Sequence, residues 1–499
     1  MPFISDYKKY RILEIIPGFL VWGTFILAVV LSFIAPLYVI YFIILFDLYW
    51  LIRVIYILVY LLMAYKRFCQ AKKVNWIKKC QKLKGWQDVI HLVFIPTYKD
   101  DINVIRTTLK YLARVSFPLD KFYIILACEE NEGEKALPKA NKLKDEFGEL
   151  FNKFVITYHP KNVPGEMPGK GSNIAYAGKE VKKIIDQKNI SYKNIIVSSF
   201  DVDTCVHRQY FSYLTYSYLT DPNPTRKSYQ PIPLFNNNIW DSPALTRVAS
   251  NSTTFWLLSE TIRPDRLFTF SSHSMSFKAL VDVGFWQSDI VTEDSRIFVQ
   301  GLIRYNGHYK VKPMYIPISM DTVLGHNFWE SMKNLYKQQR RWAYGVENFP
   351  FMFWNFWGNK QIKLGSKIKY IWNQLEGVYS WATAPILIFV LGHLPIWVIN
   401  NFERPQMYTM VAQNTPYILR LLMTSAMIGL FVSAIISLVI LPPKPKKKSS
   451  WRYPLMLLQW ILFPFSMIIF GSLPATDAQT RLMLGKYLGF QATKKVRKN

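Results

Sequence analysis

The sequence predicts an α/β domain with a mostly parallel sheet, inserted between transmembrane α-helices. An uncharged stretch of 32 residues runs from Ile15 to Phe46, and three further apolar segments lie near the C-terminus. Between these two groups, short apolar runs alternate with segments of helical periodicity. This alternation is typical of strands and covering helices in an α/β fold.

The first apolar stretch is too long for one membrane crossing, which needs about 20 residues. We therefore predict spans at 15–34 and 37–65. Asp47 and Arg53 in the second span lie about 120° apart on a helix, so we expect them to pack separately inside the bundle or to reach the interface. The predicted units are a transmembrane helix pair (1–65), a cytoplasmic domain (66–350), interfacial and transmembrane helices (351–475, with apolar segments at 377–402, 421–441 and 454–475) and an amphipathic tail (476–499).

Basic residues predict the orientation of the chain. Residues 66–85 and 442–452 are rich in Lys and Arg, whereas 400–417 contains only Arg404. The positive-inside rule then predicts an integral membrane protein with a cytoplasmic central domain and an outward-facing 400–417 loop. Much of the net charge of +28 is explained by these segments lying against anionic membrane lipid. No nucleic-acid motif is present and the four cysteines are scattered, so neither nucleic acid nor a zinc site is expected.

Four strands are predicted in the first part of the domain, at 91–96, 121–127, 153–159 and 193–200. The helices between them are predicted at 102–115, 134–147 and 171–185. Carboxyl ends of parallel strands meet at one edge of a sheet, where ligands bind. The polar residues at these ends predict a site for a metal ion and a nucleotide: Thr97, Glu129, Glu130, Asp201 and Asp203.

The stretch SSFDVDT places two carboxylates, Asp201 and Asp203, one position apart at the end of the fourth strand. With Val202 turned inward, both can reach one hard divalent cation, and Mg²⁺ or Mn²⁺ favours such oxygen ligands. The alternative is that the two aspartates only cap a turn.

The stretch VTEDSR contains Glu293 and Asp294 at the start of a predicted helix. A carboxylate here suits a general base that takes a proton from an acceptor hydroxyl. The alternative is a helix cap formed by Thr292.

The stretch GKGSNIAYA combines glycines, Lys170 and a helix start, which favours an anion site. It lacks the spacing of a P-loop. The alternative is a flexible turn without a ligand.

The stretch QQRRW places Gln338, Arg341 and Trp342 on one side of a helix. Arg341 suits a diphosphate clamp, and the Trp342 ring suits stacking against a sugar. The alternative is a basic amphipathic helix on the membrane surface. Lys337 and Arg340 fall off the motif and are expected to be membrane-facing or solvated.

These motifs occur in the order D-x-D, T-E-D and Q-x-x-R-W, with apolar spans on both sides. As a set they resemble the membrane-embedded family 2 glycosyltransferases, which include cellulose synthase and hyaluronan synthase. The resemblance covers residues 90–345 and the flanking spans. FIPTYKD resembles the opening strand of this family, and FQATKK, residues 490–495, resembles its gating loop with Ala492 in place of Val.

The resemblance implies a GT-A (Rossmann-like) catalytic domain, an inverting mechanism, a nucleoside-diphosphate sugar donor (a UDP-sugar) and Mg²⁺ or Mn²⁺. It implies metal–diphosphate binding by Asp201 and Asp203, and a general base at Asp294, with Glu293 beside it as a further catalytic candidate. The implied substrate-binding residues are Thr97, Glu129 or Glu130, Lys170, Gln338, Arg341, Trp342, Phe490, Thr493, and Lys494 or Lys495.

Two acceptor classes remain open: a growing polysaccharide exported through the spans, or a lipid that receives one sugar. A membrane transporter or a lipid-anchored nucleic-acid-binding protein is a third interpretation. It predicts that Asp201→Asn does not impair function. We place the acceptor channel between the metal and base motifs, with four candidates: Asn236, Trp240, His273 and Ser274. A cytoplasmic tail requires an even number of late crossings, so we favour a bent or interfacial 454–474 segment.

Overall fold

The computed structural model describes residues 7–402, 409–445, 449–489 and 497, and an eight-stranded sheet lies at its centre. The strands are β1 (Ile90–Thr97), β2 (Phe122–Glu129), β3 (Lys153–His159), β4 (Ile195–Ser199), β5 (Cys205–Val206), β6 (Lys227–Phe235), β7 (His273–Ser276) and β8 (Lys310–Met320). Their order in the sheet is β3-β2-β1-β4-β7-β6-β8-β5.

The first four strands are parallel, and the predicted alternation of strands and helices is present. Side chains of β1 alternate between two cores, because neighbours on a strand face opposite sides of the sheet. Val93 and Ile95 pack into one core, and Leu92 and Phe94 into the other. The second half differs from the prediction, since β7 pairs antiparallel with both β4 and β6. The sheet is therefore mixed rather than mostly parallel throughout.

Eighteen α-helices surround the sheet or flank the domain in the described ranges. Those up to the sheet's last strand are α1 (Tyr7–Ile34), α2 (Pro36–Lys73), α3 (Trp76–Cys80), α4 (Ile102–Leu112), α5 (Ala136–Phe147), α6 (Lys170–Gln187), α7 (Tyr210–Leu219), α8 (Ala244–Glu260), α9 (Phe277–Asp282) and α10 (Glu293–Arg304). The later ones are α11 (Phe328–Ala343), α12 (Asn348–Trp357), α13 (Leu364–Phe389), α14 (Leu394–Asn401), α15 (Met410–Val439), α16 (Arg452–Leu458), α17 (Phe463–Met467) and α18 (Leu473–Met483).

Within the described residues, four helical segments are long and apolar enough to cross a membrane, or five if a pair bent by 45° counts as one span. They are α1, α2, α15 and the run Arg452–Met483, and the bent pair is Leu364–Phe389 with Leu391–Asn401. The second helix extends to Lys73, beyond the predicted end at residue 65. Its Arg53 pairs with Glu376 of α13, which fits the expectation that Asp47 is not its partner.

The run Arg452–Met483 contacts the sheet domain near both of its ends. Arg452 at its start donates from Nη1 to the backbone oxygen of Trp240 at 2.7 Å. Near its other end, Asp477 accepts from Arg340 Nη1 at 2.8 Å. These contacts are compatible with the interfacial alternative for 454–474, which stays a prediction because the run is also long and apolar enough to cross a membrane.

Cysteine labelling in vesicles tests this topology. In a Cys69→Ser background, we expect Ser450→Cys and Lys486→Cys to react with an impermeant maleimide from the same side, and Gln413→Cys from the opposite side. All three positions are exposed, whereas the other native cysteines are buried. If Lys486→Cys and Gln413→Cys react from one side, the run crosses the membrane and the interfacial assignment is wrong.

Candidate active site

Polar residues at the carboxyl ends of β1, β2 and β4 line one cavity of about 1350 Å³. Thr97, Glu129 and Asp201 all belong to its lining, and so do Lys170 and Asp294. They meet because β1 pairs in parallel with both β2 and β4, which aligns the ends of the three strands. The strand-end rule used on the sequence therefore locates this edge of the sheet.

Lys170 joins two of the predicted motifs. Its Nζ donates to Asp201 Oδ1 at 2.8 Å, and to Asp294 Oδ1 and Oδ2 at 2.9 and 2.7 Å. Glu293 Oε1 lies 3.6 Å from the same nitrogen. The end of β4 and the first turns of α6 and α10 thus converge on one buried ammonium group.

A glycine allows this close approach. A Cβ on Gly171 would lie 2.9 Å from the backbone oxygen of Gln287 and 3.2 Å from Cβ of Glu293. Both distances are shorter than ordinary contacts, so any larger residue would push the start of α6 away from α10. Gly171 is therefore needed to bring Lys170 to the carboxylates.

The carboxylates around Lys170 shift protonation equilibria. Burial lowers the pKa of Lys170, but Asp201 and Asp294 outweigh this effect and the pKa lies above its ordinary value. Burial, together with the charge of Asp294, raises the pKa of Glu293 to about 8. At neutral pH the site therefore holds a charged lysine and a Glu293 side chain that is mostly protonated.

Thr269 before β7 and His273 within it lie against Asp294. Thr269 Oγ1 donates to the backbone oxygen of Asp294 at 2.6 Å. His273 Nδ1 donates to the backbone oxygen of Phe270 at 3.0 Å and lies 3.8 Å from Asp294 Oδ1, beyond hydrogen-bond distance. Burial lowers the pKa of His273.

The two aspartates of SSFDVDT point to different neighbours. Asp201 contacts Lys170, whereas Asp203 Oδ2 accepts from the backbone nitrogen of Asp321 at 2.7 Å. Val202 packs into the core between them, as predicted. Within the described ranges, no cluster of three or more His, Cys, Asp or Glu side chains has the arrangement of a metal site.

Asp321 was not predicted from the sequence, although it directly follows β8. The strand-end rule would have identified Asp321 if the mixed second half of the sheet, to which β8 belongs, had been recognised. Its carboxylate accepts from Arg497 Nη2 at 2.8 Å and from Asn237 Nδ2 at 2.9 Å.

The structure separates the two glutamates at the end of β2. Glu129 is buried and lines the cavity. Glu130 instead accepts from the backbone nitrogen of Lys161 at 2.8 Å and lies outside the cavity lining. Of the two residues that the sequence left open as base contacts, Glu129 alone lines the cavity.

The predicted QQRRW helix is α11, which begins after Asn327, whose side chain caps it. Gln338, Arg341 and Trp342 all line the cavity, and the Trp342 ring lies 5.7 Å from the Phe235 ring. Arg340 differs from the expectation of a membrane-facing or solvated charge, because Asp477 binds it. That contact joins α11 to the run Arg452–Met483, which local sequence could not reveal.

Several predicted residues lie elsewhere. Phe490, Thr493, Lys494 and Lys495 fall outside the described residues. The four acceptor-channel candidates are absent from the lining of the described cavity. Ser274 Oγ forms a hydrogen bond with Ser198 Oγ at 2.7 Å within the sheet. Trp240 Nε1 donates to the backbone oxygen of Pro442. His273 lies 3.8 Å from Asp294, and Asn236 directly follows β6.

The cavity continues from the sheet edge into the flanking helices. Helix α13 contributes the polar residues Asn373, Gln374 and Ser380 together with apolar ones such as Ile388 and Phe389. Helices α2 and α15 contribute mainly aliphatic side chains: Leu51, Ile57, Leu58, Leu61, Leu422, Met423 and Leu430. Five tryptophans also line the space: Trp50, Trp256, Trp342, Trp381 and Trp460.

Comparison of the sequence with protein-family profiles and with curated proteins gave no match. Among solved structures, the chain is similar to the mannosyltransferase PcManGT from Pyrobaculum calidifontis in complex with GDP-Man and Mn²⁺, at 12% identity and a TM-score of 0.43, covering 82% of this chain and 99% of that chain. It is also similar to S. aureus TarS 1-349 in complex with UDP-GlcNAc, at 10% identity and a TM-score of 0.37, covering 80% and 92%. Similarity at this level carries no argument about activity.

The raised pKa of Glu293 predicts a pH-dependent loss of stability. Between its ordinary value of 4.5 and about 8, the folded chain keeps a proton that the unfolded chain releases, so rising pH favours unfolding. We expect the melting temperature of the wild type to fall relative to Glu293→Gln as pH rises from 5.5 to about 8, with no further divergence above it. Exposed Glu149→Gln is the control. Parallel curves for the wild type and Glu293→Gln would contradict the assignment.

Proposed function

We propose that this chain is an inverting glycosyltransferase that uses a nucleoside-diphosphate sugar to extend a glycan on the cytoplasmic side of a membrane. The observation that supports this most directly is the contact of Lys170 with both Asp201 and Asp294. It brings a cation suited to a diphosphate next to a carboxylate suited to a general base, at the mouth of a cavity that enters the helices.

The proposed reaction is a single displacement at the anomeric carbon of the donor. The acceptor hydroxyl oxygen forms a bond to this carbon as the bond to the diphosphate oxygen breaks. Asp294 accepts the hydroxyl proton, and the nucleoside diphosphate leaves with the bonding electron pair. Attack from the face opposite the leaving group inverts the anomeric centre.

Three cationic or polar groups are proposed to bind the leaving diphosphate. Lys170 and Arg341 both line the cavity and supply positive charge, and Arg341 offers a planar fork for two phosphate oxygens. Gln338 lies one helical turn before Arg341 on the same side of α11. These groups stabilise charge that develops as the donor bond breaks.

Asp201 at the end of β4 is the first proposed ligand of a hard divalent cation. Asp201 lines the cavity with a carboxylate, the ligand type preferred by Mg²⁺ and Mn²⁺, and the diphosphate would supply further oxygens. When bound, such a cation neutralises diphosphate charge. Asp203 is the second proposed ligand, and it would have to share its carboxylate between the cation and the backbone of Asp321.

The tryptophans and the polar side chains of α13 favour a growing glycan as the occupant of the cavity. Flat indole faces stack on sugar rings, and their N–H groups donate to hydroxyls. Asn373, Gln374 and Ser380 supply further hydrogen-bonding groups along α13. The cavity would then guide the product from the sheet edge into the helices, coupling extension to export.

A lipid acceptor is the second candidate. The aliphatic side chains of α2 and α15 favour it, because hydrocarbon chains gain free energy by leaving water for such a surface. On this alternative the enzyme adds one sugar to a membrane lipid and releases it sideways.

The test uses the purified chain in lipid with Mg²⁺ or Mn²⁺ and a panel of UDP- and GDP-sugars. Nucleotide release reports turnover, and product size distinguishes the acceptors. We expect a UDP-sugar to yield a polymer; a single lipid-extractable sugar would instead support the second candidate. If the wild type consumes no donor, the proposed function is wrong.

Asp294→Asn tests the proposed base in the same assay. The amide keeps the side-chain shape but cannot accept the proton, so we expect kcat to fall by about 10²- to 10⁴-fold. Asp265→Asn is the control, because Asp265 is exposed and lies outside the cavity lining. Full activity of Asp294→Asn would exclude Asp294 as the base.

A further inference from the structure

His159 at the end of β3 lies between two carboxylates. Its Nδ1 is 3.1 Å from Glu129 Oε2, and its Nε2 is 2.9 Å from Glu166 Oε2. His159 is 3% exposed and Glu129 is 4% exposed. The three residues form a Glu–His–Glu bridge that no sequence motif indicated.

The chemistry of the bridge determines which groups donate its hydrogen bonds. An ionised carboxylate only accepts hydrogen bonds, whereas a neutral imidazole has one donor and one acceptor nitrogen. Contact with two carboxyl groups therefore requires an imidazolium, or a neutral imidazole with one of the two carboxyl groups protonated. Burial lowers the pKa of His159, but Glu129 and Glu166 outweigh it and the pKa is raised.

The bridge occupies one oxygen of Glu129 and leaves the other. Oε1 of Glu129 is buried and has no hydrogen-bond partner in the described part of the chain. Asn173 also has a buried oxygen without a partner. Its Nδ2 donates to the backbone oxygen of Ala127, but its Oδ1 has no hydrogen-bond partner in the described part of the chain. Both residues line the cavity beside Thr97. Buried acceptors without partners are rare, and they indicate a ligand with N–H or O–H groups.

We propose that His159 is a positioning residue that restricts Glu129 to one free oxygen and thereby selects a nucleobase with a single N–H on its pairing edge. This inference rests on the proposed function, since it assigns the base pocket of the nucleotide-sugar donor. Uracil has that edge, with one N–H between two carbonyls. Guanine presents two adjacent donors, which are best met by both oxygens of one carboxylate.

The bridge also reaches the loop before α6. Glu166 belongs to the segment 160–169, which leads directly to Lys170, and Met167 in that segment donates its backbone N–H to Ser288 O at 2.8 Å. His159 therefore links the base pocket to the segment that delivers the diphosphate-binding lysine. A change at His159 is expected to affect nucleotide affinity without removing any group from the reacting centre.

Calorimetric titration of UDP and GDP with Mn²⁺ tests the proposal on the purified full chain. His159→Asn places an amide donor near the former Nδ1 and keeps the contact with Glu129. His159→Gln places its donor near the former Nε2 and loses that contact. We expect His159→Gln to lose about tenfold in UDP affinity and to gain relative affinity for GDP, with the preference restored in His159→Asn.

Glu129→Gln and Glu130→Gln form the matched control pair. The first should abolish the preference for UDP, and the second should leave it unchanged, because Glu130 lies outside the cavity lining. The proposal is overturned if His159→Gln leaves the UDP-to-GDP ratio unaltered, or if both variants lower the two affinities by one common factor. Failure of the wild type to bind either nucleotide would instead overturn the proposed function.

Discussion

A buried ammonium group between carboxylates is the interaction on which the rest of the site depends. Lys170 Nζ contacts Asp201 and Asp294, and Glu293 lies just beyond hydrogen-bond distance. Buried charges are costly unless they are paired. Without Lys170, the carboxylates after the end of β4 and at the start of α10 would repel each other. The helix start that delivers Lys170 fits only because Gly171 adds no side chain at the contact. Geometry and charge thus impose the same arrangement.

The helices outside the sheet domain extend this site rather than merely anchoring it. The α11 helix faces the cavity with Gln338, Arg341 and Trp342, and its other side binds Asp477 through Arg340. The run Arg452–Met483 therefore supports the helix that is proposed to hold the diphosphate. Movement of this run would be transmitted to α11, which carries Arg341 and Trp342, through the contacts of Asp477 with Arg340 and Tyr336.

Local sequence patterns were sufficient for one half of the fold. Short apolar runs, helical periodicity and strand-end polarity gave β1 to β4, the helices between them and the edge on which Thr97, Glu129 and Asp201 lie. They could not give the mixed second half, where β7 is inserted beside β4 although 73 residues separate Ser199 from His273 along the chain. Nor could they give the contact between Lys170 and Asp294, which are 124 positions apart. Such pairings depend on tertiary packing, which leaves no periodic signal.

The same reason explains why the sequence did not reveal the partners of individual site residues. Asp203 was grouped with Asp201 by spacing, yet a backbone N–H from the unrecognised β8 end binds its carboxylate. Arg340 was assigned to solvent or lipid because its partner lies 137 positions away. His159 has no motif around it, and only the fold brings Glu129 and Glu166 to its two nitrogens. Motif spacing located the residues, whereas distant partners determine what each one does.

The most direct test is an experimental structure with UDP and Mn²⁺ bound. We expect the diphosphate and the cation beside Asp201, with Lys170 Nζ moved from the carboxylates onto a phosphate oxygen and Asp294 freed to face the acceptor. Glu129 should meet the uracil N–H through Oε1. A nucleotide bound away from Lys170, with its contacts to Asp201 and Asp294 intact, would contradict the account.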